Sequence, residues 1–422
     1  MTALPDALVN SVLSEPTSKA CSMTINHRTF CYRRTEFSLP PLSLLGWLEQ
    51  QHLFPKIYWE EGGVATAAIG AAFTTTTLPQ VRAALPFRLF GGFDFAKRRH
   101  ATWEGFPQAC YVLSRVEITQ TKNQTLLAFH SLDDVNEFPP LSFDLKPQGK
   151  LPSSPTQRVD LPTRLEWAHA IAAQLDAFEN NRLQKVVLAR HTRFHFATPF
   201  SPYALLSTLS AEVVFSFAFS PHMTLIGATP ERLYTRAQNA LTSCALAGTR
   251  PLGETAAEKA RFKQDLLSHP KEQREFLLVD DFITKALTPL SLTFDRTKQA
   301  VIETASTQHL KTTFHATLHP EVSDATLLKI LHPTPALGGL PRKEALRTLE
   351  ALEPFDRGWY GAPVGWIAND SASFAVAIRS ALAFPQTLNL FAGAGIVPGS
   401  LASCEWEELE HKMRPYLIWE KQ

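Results

Sequence analysis

Two pairs of short apolar segments, each joined by only a few residues, most constrain the fold of this chain. EVVFSFAFS (212–220) and MTLIGA (223–228) are separated by a Pro-His pair, and both read as strands. FAVAIRSALAF (374–384) and LNLFAGAGIV (388–397) flank a Pro-Gln pair and predict a second pair of strands. Consecutive strands joined by a tight turn can pair only in the antiparallel direction. The sequence therefore predicts a fold built mainly on antiparallel strands.

Helical segments are interspersed among the strands and do not alternate with them regularly. A helical repeat of apolar residues precedes the strand KVVLAR (185–190), and its members are Trp167, Ile171, Leu175 and Phe178. A longer helical stretch follows from about Glu254 and is broken at Pro270. KIYWE (56–60) and GFPQACYVLSRVEIT (105–119) predict further strands. We expect an α+β (α/β) fold, in which mostly antiparallel sheets are covered by helices.

One segment rich in Pro and Ser interrupts this pattern. KPQGKLPSSPTQRVDLPT (146–163) reads as a linker or long loop. It divides the chain into an N-terminal part, residues 1–150, a connecting segment, residues 151–163, and a C-terminal part, residues 164–422. The clearest chemical motifs all lie in the C-terminal part.

Charge and cysteine usage exclude several classes of function. The chain has 41 basic and 40 acidic residues and a formal net charge of +1, which argues against nonspecific binding to nucleic acid. Five scattered cysteines without a paired spacing indicate a reducing compartment. Neither a signal peptide nor an apolar stretch of membrane-spanning length is visible. We expect a cytoplasmic protein that acts without a membrane and without nucleic acid.

Two Glu-x-x-Glu doublets are candidates for a metal site. Glu272 and Glu275 follow Pro270, which favours the first turn of a helix, and they share a stripe with apolar residues further along. Glu405 and Glu408 repeat this spacing on a stripe with a leucine and a lysine. Two helices that present inward carboxylates suit Mg²⁺, which prefers oxygen ligands. The alternative is that both doublets lie on solvated helix faces.

Lys185 and Glu231 are candidate proton-transfer residues. Lys185 opens an apolar strand, and burial there would lower the pKa of its amine and make it usable as a base. The alternative is an exposed lysine at the edge of a sheet. Glu231 follows Pro230 in GATPERL (227–233), on a turn between strands, and could act as a general acid. The alternative is a surface glutamate.

The stretch from residue 356 to residue 400 contains candidate anion-binding groups. Arg379 is a charge inside an apolar strand, where it would need a carboxylate partner from a ligand or from the protein. Gly393 and Gly395 could cradle an anion with their backbone N–H groups or form a tight turn. Tyr360 could equally be a core aromatic residue.

As a set, these motifs resemble the chorismate-utilising enzymes, which include isochorismate, salicylate, anthranilate and aminodeoxychorismate synthases. The resemblance runs in family order from about residue 180 to the end. The motifs that carry it are KVVLAR, GATPERL, LAGTRPLG (246–253), KEQREF (271–276), LHPTPALGGLP (331–341), DRGWYGAPVGW (356–366), AIRSA (377–381), FAGAGIVPGS (391–400) and EWEELEHK (405–412). Before residue 150 the match is weaker and rests mainly on FPKIYWEEGG (54–63), which is similar to the menaquinone-type isochorismate synthases.

The resemblance implies a fold, a reaction and a set of residue roles. The fold has two packed antiparallel sheets, outer helices and an active-site cleft between them. The reaction is the Mg²⁺-dependent isomerisation of chorismate to isochorismate, by addition of water at C2 and loss of the C4 hydroxyl. Lys185 matches the base and Glu231 the acid. Glu275 and Glu408 match the principal Mg²⁺ ligands, with Glu272 and Glu405 in support. The substrate-binding set comprises Arg379, Tyr360, Gly393, Gly395, Lys412, His332, Ala247, Gly248 and Thr249.

The same resemblance separates the branches of the family. The aminating branches lack a water-activating lysine at position 185, so the resemblance implies no obligatory glutaminase subunit. A covalent lysine of some aminodeoxychorismate synthases is replaced here by Ala247. Salicylate synthases, which go on to eliminate pyruvate, share the lysine and are the nearest alternative. An ammonia-using enzyme and a non-catalytic binding homologue are more distant alternatives. Pro415, shortly after Lys412, would end or kink the last helix.

Overall fold

The chain is described by a computed structural model that covers residues 17–96, 101–133, 138–143, 149–180, 182–304 and 307–420. The first 16 residues, on which the signal-peptide prediction rests, and residues 146–148 of the predicted linker lie outside these ranges. No helix in the described ranges is long and apolar enough to cross a membrane. All five cysteines are free thiols.

The described residues form 22 strands and eight α-helices. The strands up to the middle of the chain are β1 Thr17–Ile25, β2 Arg28–Leu39, β3 Lys56–Glu61, β4 Val64–Thr75, β5 Val81–Ala83, β6 Leu89–Phe93, β7 Ala109–Gln120, β8 Thr125–Leu132, β9 Gln157–Leu161, β10 Lys185–His195 and β11 Val213–Ser220. The later strands are β12 Met223–Thr229, β13 Arg232–Ala237, β14 Ala240–Pro251, β15 Ser291–Arg296, β16 Ala300–Glu303, β17 Thr307–Leu318, β18 Gly339–Leu340, β19 Pro363–Ile367, β20 Ser371–Val376, β21 Ser380–Phe384 and β22 Thr387–Ile396. The helices are α1 Leu44–Gln50, α2 Arg164–Glu179, α3 Pro202–Leu206, α4 Ala256–Ser268, α5 Pro270–Leu287, α6 Asp324–Leu331, α7 Arg342–Leu352 and α8 Ala402–Met413.

Strand pairing in the described ranges is antiparallel throughout and connects the strands into one large, curled sheet with helices packed against it. The predicted antiparallel fold is therefore confirmed. The hairpin β11–β12 forms as expected. Because β11 lies between β12 and β3, its first six residues are all buried, which explains an apolar run without alternation.

Strands from the two parts of the chain pair with each other. β3 pairs with β11, and β6 pairs with β19, so segments before residue 150 extend the same sheet that carries the later motifs. Part of the predicted linker also belongs to this sheet. Gln157–Leu161 forms β9 and pairs with β10, so this stretch is not one continuous loop.

The expectation that Arg379 lies inside a strand is wrong. The segment 374–384 is divided between β20, which ends at Val376, and β21, which begins at Ser380. The two halves pair with different strands. β20 pairs with β13 and β19, whereas β21 pairs with β12 and β22. Arg379 makes the transition with φ = +47°, a conformation that is costly for a residue with a Cβ. Its carbonyl accepts hydrogen bonds from the N–H of Ala228 and the hydroxyl of Tyr416, which hold it there.

The predicted helix break at Pro270 is confirmed. α4 begins with a capping box between Thr255 and Glu258 and ends at Ser268. His269 is extended, and Pro270 occupies the first turn of α5, where its missing N–H costs nothing. The buried stripe of α5 contains Glu272 with Phe276, Val279, Asp280, Ile283 and Leu287, whereas Glu275, predicted on the same stripe, is half-buried.

Candidate active site

Most of the predicted site residues converge on one cavity beside the strands β10, β14 and β22. The predicted residues that line it are Glu231, Ala247, Gly248, Thr249, Glu275, Tyr360, Arg379, Gly393, Gly395 and Lys412. Lys185 contacts one of these side chains directly. Val187, Leu246, Leu337, Ile378 and Phe391 add apolar wall. The lining of the cavity thus combines charged groups with apolar side chains.

Lys185 is fully buried at the start of β10. It pairs with Leu340 of β18, and its side chain is 0% exposed, so the alternative of an exposed edge lysine is wrong. Its Nζ donates a hydrogen bond to Glu275 Oε1 at 2.9 Å. The hydrogen bond satisfies a buried amine, which would be costly in the interior without a partner. The amine is therefore held in a fixed position at the cavity.

Glu231 is buried at the turn between β12 and β13. Its side chain lines the cavity, and the residue is 5% exposed, so a surface glutamate is excluded. Burial raises the pKa of this carboxyl to about 7, while the charges of Lys185 and Lys412 act in the opposite direction. Glu231 can therefore carry a proton near neutral pH, as a general acid must.

The four doublet carboxylates lie on α5 and α8, and each has a protein cation beside it. Glu275 is paired with Lys185, and Glu408 Oε1 lies 2.5 Å from Lys412 Nζ. Glu408 is 18% and Glu275 14% exposed, so the expectation of inward-facing carboxylates is met and the solvated-face alternative is wrong. Although burial opposes its ionisation, the cations Lys412 and Lys271 lower the pKa of Glu408.

The remaining two carboxylates are almost completely buried. Glu272 Oε1 lies 2.5 Å from Arg250 Nη1, and its Oε2 accepts the N–H of Thr249 at 2.9 Å. Glu405 Oε1 lies 2.5 Å from Lys271 Nζ. Burial raises the pKa of Glu272, with the charge of Glu275 adding to it, and raises the pKa of Glu405 to about 7, with the charge of Glu408 adding to it.

These carboxylates suit a hard divalent cation in donor chemistry. All ligands are oxygens, and the raised pKa values of Glu272 and Glu405 come partly from like charges that a cation would neutralise. In the side-chain positions of the described residues, no group of three or more acidic, His or Cys side chains is arranged as a metal cage. The donor atoms of the doublets therefore fit such an ion, provided that it displaces the basic side chains that contact the carboxylates.

Arg379 and Lys412 bring positive charge to the cavity. Arg379 Nη2 donates to Thr307 Oγ1 at 3.2 Å, and burial lowers the pKa of its guanidinium to about 10. Lys412 Nζ also donates to the carbonyl of Gly393 at 2.8 Å. Helix α8 ends at Met413, so Pro415 falls beyond it and does not displace Lys412. Tyr360 is buried and stacks on Phe391, with ring centroids 5.3 Å apart.

The two glycines of β22 allow close approach of reactive side chains. Neither is in a turn, because both pair with β10 inside the sheet, so the tight-turn alternative is wrong. A Cβ on Gly395 would lie 2.1 Å from Glu275 Oε1 and 3.1 Å from Lys185 Cε. A Cβ on Gly393 would lie 3.0 Å from the Tyr360 hydroxyl. Glycine at 395 is therefore required for the pair between Lys185 and Glu275.

Gly395→Ala should reduce catalysis through this contact alone. We expect kcat/KM to fall about tenfold, because over-packing costs about 1–3 kcal/mol and about 1.4 kcal/mol corresponds to tenfold. Gly393→Ala is the matched control in the same strand. Its neighbours, a tyrosine hydroxyl and a valine methyl at 3.3 Å, can shift by a few tenths of an ångström, so its effect should be smaller. Equal effects in steady-state kinetics would contradict this account.

Five predicted residues do not line the cavity, namely Lys185, Glu272, Glu405, Glu408 and His332, and one residue that was not predicted does. His332 does not line the cavity; its ring packs edge-on against Phe93 and Phe95, with centroids 5.6 and 5.4 Å away. His309, which the sequence reading missed, does line it. Its Nε2 lies 2.8 Å from Thr307 Oγ1 and its Nδ1 3.1 Å from the carbonyl of Gly248. Burial, reinforced by the charges of Arg379 and Lys412, lowers the pKa of His309 to about 3, so the ring is neutral.

Glu231, Glu275 and the neutral His309 line one cavity, and Lys185 and Glu408 are paired with residues of that lining. This set defines an enzyme site for a small anionic substrate. The chain belongs to the family of chorismate binding enzymes, whose pattern matches residues 74–418. It is 31% identical to the isochorismate synthase MenF of Haemophilus influenzae over 395 residues, covering 90% of this chain and 89% of that protein. It is 32% identical to the salicylate biosynthesis isochorismate synthase of Pseudomonas aeruginosa, covering 88% and 85%.

The fold is also that of a solved member of the family. The structure of MenF, the menaquinone-specific isochorismate synthase from Escherichia coli, matches with a TM-score of 0.79 and 26% identity. The match covers 97% of this chain and 98% of that one. The predicted family and its fold are thereby confirmed.

Proposed function

We propose that the protein is an isochorismate synthase, an isomerase that converts chorismate to isochorismate. The observation that carries the proposal is the meeting of Lys185 and Glu231 at one cavity, where Lys185 contacts the lining carboxylate Glu275 of the first acidic doublet. Addition of water and loss of hydroxide require a base and an acid in the same site. The family membership and the isochorismate synthases among the relatives support the same reaction.

In the proposed reaction, Lys185 takes a proton from a water molecule as the water oxygen bonds to C2. The ring double bonds shift, the bond between C4 and its hydroxyl breaks, and Glu231 gives its proton to the departing oxygen. One water enters and one leaves, so the atoms balance. An acid is needed because hydroxide is a poor leaving group, and a base because water is a poor nucleophile. Proton return between the two residues through solvent completes the cycle.

The remaining residues bind and orient the dianion. Glu275 and Glu408 would hold Mg²⁺, with Glu272 and Glu405 in support, and the ion would supply positive charge for the ring carboxylate. Arg379 and Lys412 are placed to bind the enolpyruvyl carboxylate. Tyr360, Gly393 and the Ala247–Thr249 segment shape the wall on that side, and the neutral His309 adds a hydrogen-bonding group. The apolar lining keeps bulk water from the reacting carbons.

We propose menaquinone biosynthesis as the destination of the product, which the similarity to the menaquinone-specific enzyme of Escherichia coli and the N-terminal FPKIYWEEGG stretch support. We propose that the enzyme works in the cytoplasm without a glutaminase subunit. The free cysteines suit that compartment, and Lys185 supports water as the nucleophile. A bacterial strain that lacks its menaquinone-specific isochorismate synthase should regain menaquinone when it expresses this chain. Restoration of growth that depends on salicylate, without restoration of menaquinone, would contradict the menaquinone assignment.

Product analysis tests the reaction itself. Purified protein is incubated with chorismate, with and without Mg²⁺, and the products are separated by liquid chromatography; ammonia is added in a parallel sample. We expect isochorismate to accumulate only with Mg²⁺, and ammonia to change nothing. Salicylate plus pyruvate would identify a salicylate synthase, and an aminated product would overturn the role of Lys185. No turnover would favour a binding protein.

A further inference from the structure

Lys271 occupies the junction of the two acidic helices. Its Nζ lies 2.5 Å from Glu405 Oε1 on α8 and 3.8 Å from Glu272 Oε1 on its own helix α5. Its side chain is 16% exposed, whereas each of these two carboxylates is 1% exposed. Lys271 therefore bridges the doublets through their two almost completely buried carboxylates.

This bridge divides the four carboxylates into two kinds. Glu272 and Glu405 are held by Arg250, the N–H of Thr249, and Lys271. Glu275 and Glu408 are paired instead with Lys185 and Lys412, to which the proposed function gives roles as base and substrate-binding residue.

We propose that Lys271 is a built-in cation that lowers the affinity of the doublets for a divalent ion and confines that ion to Glu275 and Glu408. A fixed positive charge a few ångströms from a carboxylate cluster repels an incoming ion, and partial burial limits its screening by salt. It also keeps Glu272 and Glu405 from wrapping the ion completely. The ion therefore keeps open positions for a substrate carboxylate. This inference rests on the proposed function, because the ion is the one that the reaction uses.

The affinity for Mn²⁺, an ion that carboxylate sites also accept, tests the proposal without turnover. Free Mn²⁺ is measured by electron paramagnetic resonance as protein is added. We expect Lys271→Met to lower the dissociation constant about tenfold, since it removes a charge that repels the ion. Lys271→Arg keeps the charge and should bind as the wild type does. Lys285→Met, an exposed lysine on the same helix, should have no effect.

The direction of the change in Mn²⁺ affinity distinguishes the proposed role of Lys271 from a purely structural one. Damage to the helix junction can only weaken Mn²⁺ binding, so weaker or unchanged binding by Lys271→Met overturns the proposal. Circular dichroism checks the fold, and Lys271→Gln replaces the methionine variant if that one does not fold. If the wild type makes no isochorismate but the variants show the expected order of Mn²⁺ affinities, the proposed function is wrong and this inference stands. If the wild type makes isochorismate but Lys271→Met binds Mn²⁺ with unchanged affinity, the proposed function stands and this inference is wrong.

Discussion

Lys185→Gln lowers kcat for isochorismate formation by about 10²–10⁴-fold, the range that a positioned base contributes. Glutamine keeps a polar group near Glu275 but cannot take a proton from water. Lys185→Arg should be equally impaired, because a guanidinium stays protonated and cannot take a proton from water.

Lys56 provides a matched control for this substitution. It also opens a strand, β3, and is only 5% exposed, but it does not line the cavity. Lys56→Gln should therefore destabilise the fold to a similar degree and leave kcat of the folded enzyme unchanged. Full activity in Lys185→Gln, with an intact circular dichroism spectrum, would remove Lys185 from the mechanism.

Glu231→Gln should have an effect of the same size, about 10²–10⁴-fold on kcat. The amide has the shape of the protonated acid, so chorismate should still bind, with KM changed little. In the wild type the acid works only when protonated. With a pKa of about 7, kcat/KM should be highest below pH 7 and decline as the pH rises through 7.

The pH dependence of kcat/KM in Glu231→Gln tests whether Glu231 is the proton donor. The decline near pH 7 should disappear in the variant, whose residual rate does not depend on that proton. A variant that loses activity but keeps the same decline would show that another group donates the proton. Stopped-flow fluorescence of chorismate binding would confirm that the cavity is intact.

Features of the fold that depend on neighbouring residues could be predicted from the sequence, whereas pairing between strands far apart in the chain could not. The hairpin β11–β12 and the break at Pro270 depend on neighbouring residues, so their sequences suffice. The break at Arg379 arises because β20 and β21 pair with different strands, none of which the segment itself encodes. β9 was read as loop because its sequence, QRVDL, is mostly polar and its pairing with β10 comes from elsewhere in the chain.

The candidate site divides in the same way. The doublets on α5 and α8 are recognisable from their spacing. Lys185 and Glu231 were candidates from their local sequence, with structural alternatives left open, and Lys412 gained its role through motif resemblance. His309 was missed because its place in the cavity follows from its pairing with Thr249 across β14 and β17. A strand pattern cannot show that register. His332 lies in a matching motif, yet aromatic rings separate it from the cavity lining.

The ion pair between Lys271 and Glu405 joins positions 134 residues apart, which has a consequence for how the protein is made. Until α8 has been synthesised, α5 carries its doublet without its counterpart. A nascent chain that lacks α8 therefore has half of the acidic cluster. The candidate site thus forms only after both helices have been made.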